Sequence, residues 1–263
     1  MAARRACVYG QAVGDALGVP FEFRPRGSFE CTGMVGHGTH GQPAGTWSDN
    51  TSMALAVCDS YRELGRVDAE DVRARFVAWY ERGQYSVGGV FDVGGTTARA
   101  LERGRGCAGE RDNGNGSLMR TVPLASTDAT DDEVRAVSAI THAHKTSTEA
   151  CVTAVRLARL LAAGSSPLDA AGKVGLAWLA CTARDDVKSG GYVVGTLHAA
   201  VWCLLRSHDY RACVLEAVNL GDDTDTTAAV AGALAGIVYG ERGIPAEWLR
   251  ALRGKGVIDA CLF

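Results

Sequence analysis

The sequence predicts an all-α protein, one compact helical domain over residues 1–263 with its active site in the loops between helices. Three observations lead there. Apolar residues recur mainly at three- and four-residue intervals, long alternating strand patterns are scarce, and glycine-rich stretches separate the periodic segments. The N-terminal stretch MAARRACVYGQAVGDALG carries two arginines and no continuous apolar run of signal-peptide quality. Thr51–Gly65 (TSMALAVCDSYRELG) reads as a helix stopped by its glycine. Ala69–Gly83 (AEDVRARFVAWYERG) reads as another, with acids in the first turn, where they complement the helix dipole. DDEVRAVSAITHAH, STEACVTAVRLARLLAAG, GTLHAAVWCLLRS and YRACVLEAVNLG continue the helical period. Thr226–Gly240 is rich in alanine and glycine and has no charged face. A helix that is apolar all round belongs at the centre of a bundle, and small residues let its neighbours approach closely. The loops between them are CTGMVGHGTHGQPAGTW, GQYSVGGVFDVGG, GRGCAGERDNGNG and VKSGGY. The chain shows no internal repeat, low-complexity tract or linker.

Composition narrows the function classes. The chain has 263 residues, enough for a sizeable core, and a net charge of -3, which offers no general attraction to nucleic acid or to an anionic membrane. No window approaches the roughly 20 apolar residues that span a bilayer. Nine cysteines, an odd number without a C-x-x-C pair, read as free thiols in a reducing cytoplasm rather than as a disulfide framework or structural zinc.

The first motifs to weigh are weak. Gly36–Gly41 (GHGTHG) and Gly104–Gly109 (GRGCAG) match G-x-G-x-x-G without the strand before and helix after that a dinucleotide site requires. His37 with His40, and His142 with His144, lack further zinc ligands, so a hydrogen-bonding or core role is the better reading for each. Asp223–Thr227 (DTDTT) matches the D-x-D-x-T of phosphatases that form an aspartyl phosphate. That chemistry needs the end of a buried parallel strand, and RACVLEAVNL before the motif is helical in period.

Two acidic knots say more. GTWSDNTSMALAV (Gly45–Val57) and GDDTDTT (Gly221–Thr227) each open a segment that must be buried. Ser48 or Asp49 would serve as a helix N-cap, as would Asp222 or Asp223. Capping accounts for one such residue in each place, not for hydroxyl, carboxylate and amide together. Hard oxygen donors without neighbouring His or Cys suit Mg²⁺, Mn²⁺ or Ca²⁺, and two knots meeting around shared ions would neutralise one another.

These residues resemble, in order and over nearly the whole chain, the ADP-ribosylglycohydrolases. GDALGVPFEF (Gly14–Phe23) is similar to the family's opening helix and loop, WSDNTSMAL to its W-T-D-D-T segment and FDVGGTT (Phe91–Thr97) to D-I-G-x-T-T. GNGSLMR (Gly114–Arg120) resembles its ligand loop, followed by THAH and SGGYVVGTL, and GDDTDTTAAVAGALAG its most diagnostic signature. The resemblance implies an orthogonal all-α bundle, a monomer, holding two Mg²⁺ (or Mn²⁺). Ser48, Asp49 and Asn50 would supply one ligand group and Asp223, Asp225 and Thr226 the other. Gly114, Asn115, Gly116, Ser117 and Met119 would contact ribose and phosphate of ADP-ribose, His142 would line the cleft, and Gly190, Gly191 and Tyr192 would hold the far end. Glycine suits such a loop because bare backbone N–H groups reach phosphate oxygens without a basic patch.

The implied reaction is hydrolysis of the glycosidic bond between ADP-ribose and a modified macromolecule, with an oxocarbenium-like transition state and a carboxylate assisting proton transfer. Asp49, Asn50 and Asp225 would take part through the metal centre, with Asp92 and Glu22 as the proton-transfer candidates. Their alternative readings are a helix cap for Asp92 and a solvated loop acid for Glu22. Protein arginine is the favoured leaving group; serine and nucleobases would use the same ribose contacts. Two departures stand out: Ser48 replaces the family threonine, and Asn50 replaces its second aspartate and removes one negative charge. A non-catalytic ADP-ribose-binding protein is therefore the alternative from another class.

Overall fold

The computed structural model describes residues 2–263. Among them the chain forms thirteen α-helices joined by loops and short 3-10 turns. Its only extended pairings are three isolated bridges. The helices are α1 (Ala2–Gly18), α2 (Asp49–Leu64), α3 (Ala69–Arg82), α4 (Gly95–Arg103), α5 (Leu118–Thr121), α6 (Asp131–Ala139) and α7 (Lys145–Ala162). They continue with α8 (Pro167–Lys173), α9 (Val193–Arg206), α10 (Tyr210–Asn219), α11 (Thr224–Tyr239), α12 (Ala246–Ala251) and α13 (Lys255–Cys261). Their buried apolar residues form one cluster that runs from Cys7 to Cys261.

Local chemistry explains the boundaries. Gly65 and Gly83 stop α2 and α3 with φ of 64° and 71°, a left-handed conformation that glycine adopts without strain. Asp68 opens α3 by accepting from the N–H groups of Glu70 and Asp71. One expected helix is shorter than its periodicity suggests. DDEVRAVSAITHAH leaves the helix after Ala139 because its backbone is recruited elsewhere: Cys107 N–H donates to the Thr141 carbonyl and Ala143 N–H to the Cys107 carbonyl. His144 then caps α7 by accepting from Thr146 N–H, the hydrogen-bonding role expected of it.

The all-apolar helix does occupy the centre. α11 is buried from Thr224 to Gly236 and packs against α1, α7, α9 and α10. Its closest partner is α1, where backbone meets backbone. A Cβ on Gly14 would lie 2.0 Å from the Ala228 carbonyl oxygen, and one on Gly18 would lie 2.3 Å from the Asp225 Cα. Glycine inside a helix costs about 1 kcal/mol relative to alanine; here no larger residue fits. The spacing 10, 14, 18 therefore sets the C-terminal end of α1 against the first turn of α11, and that contact fixes where the acidic residues meet.

Candidate active site

Asp15 is the starting point, a carboxylate on the mostly apolar buried part of α1, near Val13, Ala16 and Leu17. It reaches the start of α2 and accepts four hydrogen bonds: Ser48 N–H at 3.0 Å, Ser48 Oγ at 2.9 Å, Thr51 N–H at 2.9 Å and Thr51 Oγ1 at 2.6 Å. Burial pushes its carboxyl up to about 6 even against those four donors. Asp15 did not stand out in the sequence. Its signal was an acid on a mostly apolar helical face, with Gln11 one turn before it as the other polar residue.

The Oγ of Ser48, so held, also lies 2.9 Å from Asp225 Oδ2, within reach of its single proton, and the Asn50 amide donates to that same Asp225 oxygen at 2.8 Å. The two acidic knots, 175 residues apart in the chain, therefore touch. Asp225 Oδ1 accepts from Thr226 N–H at 2.8 Å. Asp223 occupies the N-cap position of α11 and makes no capping bond; its Oδ2 accepts from the Asn115 amide at 2.8 Å. The capping reading thus holds for Ser48 and fails for Asp223, whose side chain points across to the glycine loop instead. It fails for Asp92 as well: Gly94 precedes α4 and no side chain caps it. Nor is Glu22 solvated, being 4% exposed. The D-x-D-x-T phosphatase reading loses its scaffold, because the motif opens a helix and no strand precedes it among the described residues.

Glu22, Asp49, Asp92, Asp223 and Thr226 line one cavity of about 250 Å³ together with Gly114, Asn115, Gly116, His142 and Gly191. Ser48, Asn50 and Asp225 form the layer beneath its floor. Ser117 and Met119 turn away from it. Ser117 is fully buried and its Oγ accepts from Ser138, while the Met119 carbonyl accepts from Gln11. Gly190 lines a neighbouring depression with Arg26 and Asp222, and Tyr192 is exposed beside Gly114, with which it forms an isolated bridge.

The glycine loop is held rigidly from behind. The buried Arg120 guanidinium donates to the carbonyls of Gly116 and Val137 and stacks on Phe76. A Cβ on Gly116 would lie 2.9 Å from His142 Cε1, so only glycine lets this imidazole pack flat beneath the loop. Burial, with the Arg120 charge, pulls His142 down to about 3 and leaves the ring neutral. Four of the five non-glycine residues with left-handed φ (Phe23, His37, Asp92 and Asp222) sit in the loops around the cavity. Such residues cost on the order of 1–3 kcal/mol each and persist where the surroundings over-determine them. One source of that constraint is visible: Phe23 N–H donates to the Asp222 carbonyl at 2.7 Å and Asp222 N–H to the Arg24 carbonyl at 2.9 Å.

The electrostatics are one-sided. Burial first, and then mutual repulsion, pushes Glu22 up to about 10 and Asp92 up to about 11, and raises Asp49 and Asp225 well above the carboxylate range. No Lys or Arg pairs with any of them among the described residues; the basic contacts are those of His40, with Glu22 and, at 3.9 Å, with Asp92. Asp223 Oδ1 and Asn50 Oδ1 are buried and have no hydrogen-bond partner. Unpaired oxygens within a group of like charges are what a bound cation would satisfy. Carboxylate oxygens of Glu22, Asp223 and Asp225 already lie within 4.8 Å of one another. The donor set fits a hard divalent ion. His40, which the sequence marked only as an unremarkable histidine, enters a second group with Glu22 and Asp92.

Comparison with known proteins agrees with this architecture. The family model described as ADP-ribosylglycohydrolase matches residues 3–262. The chain is 35% identical over 269 residues to ADP-ribosylarginine hydrolase Tri1 of Pseudomonas putida (strain GB-1), an alignment covering 93% of this chain and 72% of that protein. It is 32% identical over 268 residues to the ADP-ribosyl-[dinitrogen reductase] glycohydrolase of Rhodospirillum rubrum, covering 94% of this chain and 88% of that protein. A solved structure of an ADP-ribosylglycohydrolase-related protein complex superposes with a TM-score of 0.83 at 32% identity, covering 99% of this chain and 95% of that one.

Proposed function

The chain belongs to the ADP-ribosylglycohydrolase family, and from that premise we propose that it hydrolyses the glycosidic bond between ADP-ribose and a modified protein, with arginine as the leaving group. The observation that carries this reading is the meeting of the two acidic knots at Asp225 beneath a cavity whose wall is a glycine loop tied to Asp223 through Asn115. A cluster of buried carboxylates joined to a backbone-rich loop suits a ligand with a polyhydroxylated sugar at one end and a diphosphate next to it. At about 250 Å³ the cavity takes the ribose and the scissile bond, and the adenylate runs over its open rim.

Ser48, Asp49, Asn50, Asp223, Asp225 and Thr226 would hold two Mg²⁺ or Mn²⁺ ions. Bound there, the ions would supply Lewis acidity to sugar hydroxyls and water. The chain's own residues do the rest. Gly114, Asn115 and Gly116 bind the ribose–phosphate segment, and the neutral His142 ring supports them from below. Glu22 and Asp92, both pushed toward the protonated form, face the cavity, and Glu22 is the proton-transfer group at the leaving nitrogen. The acidic lining also suits a cationic guanidine and disfavours an anionic nucleic-acid leaving group. Residues 1–263 act as one domain and as a monomer in the cytoplasm; no helix among the described residues is long and apolar enough to cross a membrane.

The test is release of ADP-ribose from ADP-ribosyl-arginine, -serine and -nucleobase substrates with Mg²⁺ or Mn²⁺, on the protein as it stands and on Asn50→Asp. Turnover of the arginine substrate is the expected result. Binding of ADP-ribose without turnover of any substrate by either form would establish the non-catalytic reading instead.

A further inference from the structure

The turn Gly36–Gly41, which matches a dinucleotide fingerprint by accident, is built against Glu22, one of the two cavity acids that belong to neither knot. Its first contact is with the chain just before Glu22: Gly38, at φ 60°, packs so closely on Pro20 that a Cβ there would lie 2.0 Å from the Pro20 carbonyl oxygen. Thr39 Oγ1 donates to the Glu22 carbonyl at 2.7 Å. His40 Nε2 is hydrogen-bonded to Glu22 Oε2 and lies 3.9 Å from Asp92 Oδ1. The imidazole is itself held between two aromatic rings, with centroids 6.1 Å from Phe23 and 5.3 Å from Phe91. Two adjacent residues thus grip the same acid, one by its backbone and the other by its carboxyl.

From these contacts we propose that His40 is a positioning residue for Glu22, holding its carboxyl over the acidic floor at the place where the leaving group departs. The physical need is clear from the surroundings. Glu22 faces other acids, with carboxylate oxygens of Asp223 and Asp225 within 4.8 Å, and no Lys or Arg pairs with it among the described residues. Glu22 also follows a 3-10 turn and precedes Phe23 in the left-handed region, so no regular helix fixes its direction. Without the imidazole no side chain holds the Glu22 carboxyl in this position, and rotamers that reach solvent are free to replace it. Asp223 and Asp225 need no such clamp, because the Asn115 amide and the Thr226 N–H already orient them.

The inference rests on the reading of Glu22 as the proton-transfer group, and the experiment separates the two. His40→Ala, His40→Gln and Thr39→Val are compared with the unaltered protein for turnover of ADP-ribosyl-arginine, for ADP-ribose affinity by calorimetry and by crystal structure. His40→Ala is expected to lower kcat by roughly tenfold to a hundredfold, a part of what general acid catalysis supplies. KM and ADP-ribose affinity should stay within about twofold, because the ribose–phosphate contacts lie elsewhere. His40→Gln, whose amide reaches the position of Nε2, should recover most of that loss, and Thr39→Val should cost about threefold, on the order of one backbone hydrogen bond. Should His40→Ala not fold, His40→Asn, too short to reach Oε2, carries the same expectation. In the crystal structures Glu22 should leave the cavity in His40→Ala and remain there in His40→Gln. Unchanged kcat, equal loss in kcat and affinity, or a Glu22 that stays in place without His40 overturns the proposal. If the unaltered protein hydrolyses no ADP-ribosyl substrate, the functional reading fails and the position of Glu22 alone decides the clamp.

Discussion

The first turns of α2 and α11 are similar in sequence and opposite in physical state. Both open buried helices, and both place oxygen-bearing side chains at successive positions. At α2 the protein satisfies most of its own needs: Asp15 accepts from two backbone N–H groups and two hydroxyls, and Ser48 caps the helix, although Asn50 Oδ1 is left without a partner. At α11 it does not. Asp223 leaves the helix uncapped, its Oδ1 has no partner, and Asp225 is fully buried with its pKa raised by burial and by Asp223. One knot is largely pre-formed by hydrogen bonds; the other keeps a buried carboxylate oxygen unpaired beside a second buried acid, a donor arrangement that suits a hard divalent cation. The Asn50 amide joins them, donating to Asp225 where a second aspartate would have repelled it.

The change that should break this contrast most completely is Asp225→Ala. It removes the carboxylate on which both knots converge, so divalent binding should fall below detection by calorimetry and turnover by at least about a hundredfold, about 2.7 kcal/mol of barrier. The helical circular dichroism should persist, because α11 is held by its apolar packing on α1. Next, Asp15→Asn tests whether the α2 knot is pre-formed by the protein alone. An amide presents an N–H to one pair of donors and leaves buried groups unsatisfied, so urea unfolding of the metal-free protein should show a loss of about 1–3 kcal/mol.

Asn50→Asp sharpens the comparison from the other side. It adds a fourth carboxylate to Asp49, Asp223 and Asp225 and removes the amide bond to Asp225. Divalent affinity and hydrolysis should each rise about tenfold, about 1.4 kcal/mol, while the metal-free protein melts lower than its parent. Equal metal affinity and rate in both forms would show that position 50 does not contribute to the centre.

The smallest effect expected is on pH dependence. Asp15 at about 6, Glu22 at about 10 and Asp92 at about 11 are all raised above their unfolded values by burial, the latter two also by neighbouring acids. The folded state therefore binds more protons than the unfolded state, and stability is greatest below the unfolded carboxylate range. It is lost as pH rises through the folded values, from near 4 through 6 for Asp15 and on toward 10 for Glu22. Asp15 by itself should make the Tm of the metal-free protein fall by a few degrees, on the order of 1 kcal/mol, between pH 5 and pH 8, and protons still held by Glu22 and Asp92 over that range deepen the fall. Mg²⁺ should flatten that slope by compensating the charges, and a chelator should restore it.

Much of this molecule was determined by local sequence chemistry. Periodicity placed α2, α3, α7, α9, α10 and α11 because each has an apolar face or an apolar body that water disfavours, and Gly65 and Gly83 stopped two of them because only glycine relaxes at positive φ. The two knots were legible for the same reason, since buried acids without cationic neighbours in sequence have few explanations. Periodicity misled at Ile140–His144, where a partner more than thirty residues upstream, Cys107, claims the backbone. Tertiary structure alone decided the rest. It turned Ser117 and Met119 into the core and left the Gly114–Gly116 backbone on the cavity. Asp15 it set beneath Ser48 through the glycine ridge of α1, and His40 it brought onto Glu22, a contact no local pattern announces. A charge or a helical stripe is a property of neighbours along the chain, whereas the partner of a buried oxygen is a property of which backbones can approach closely enough to supply one.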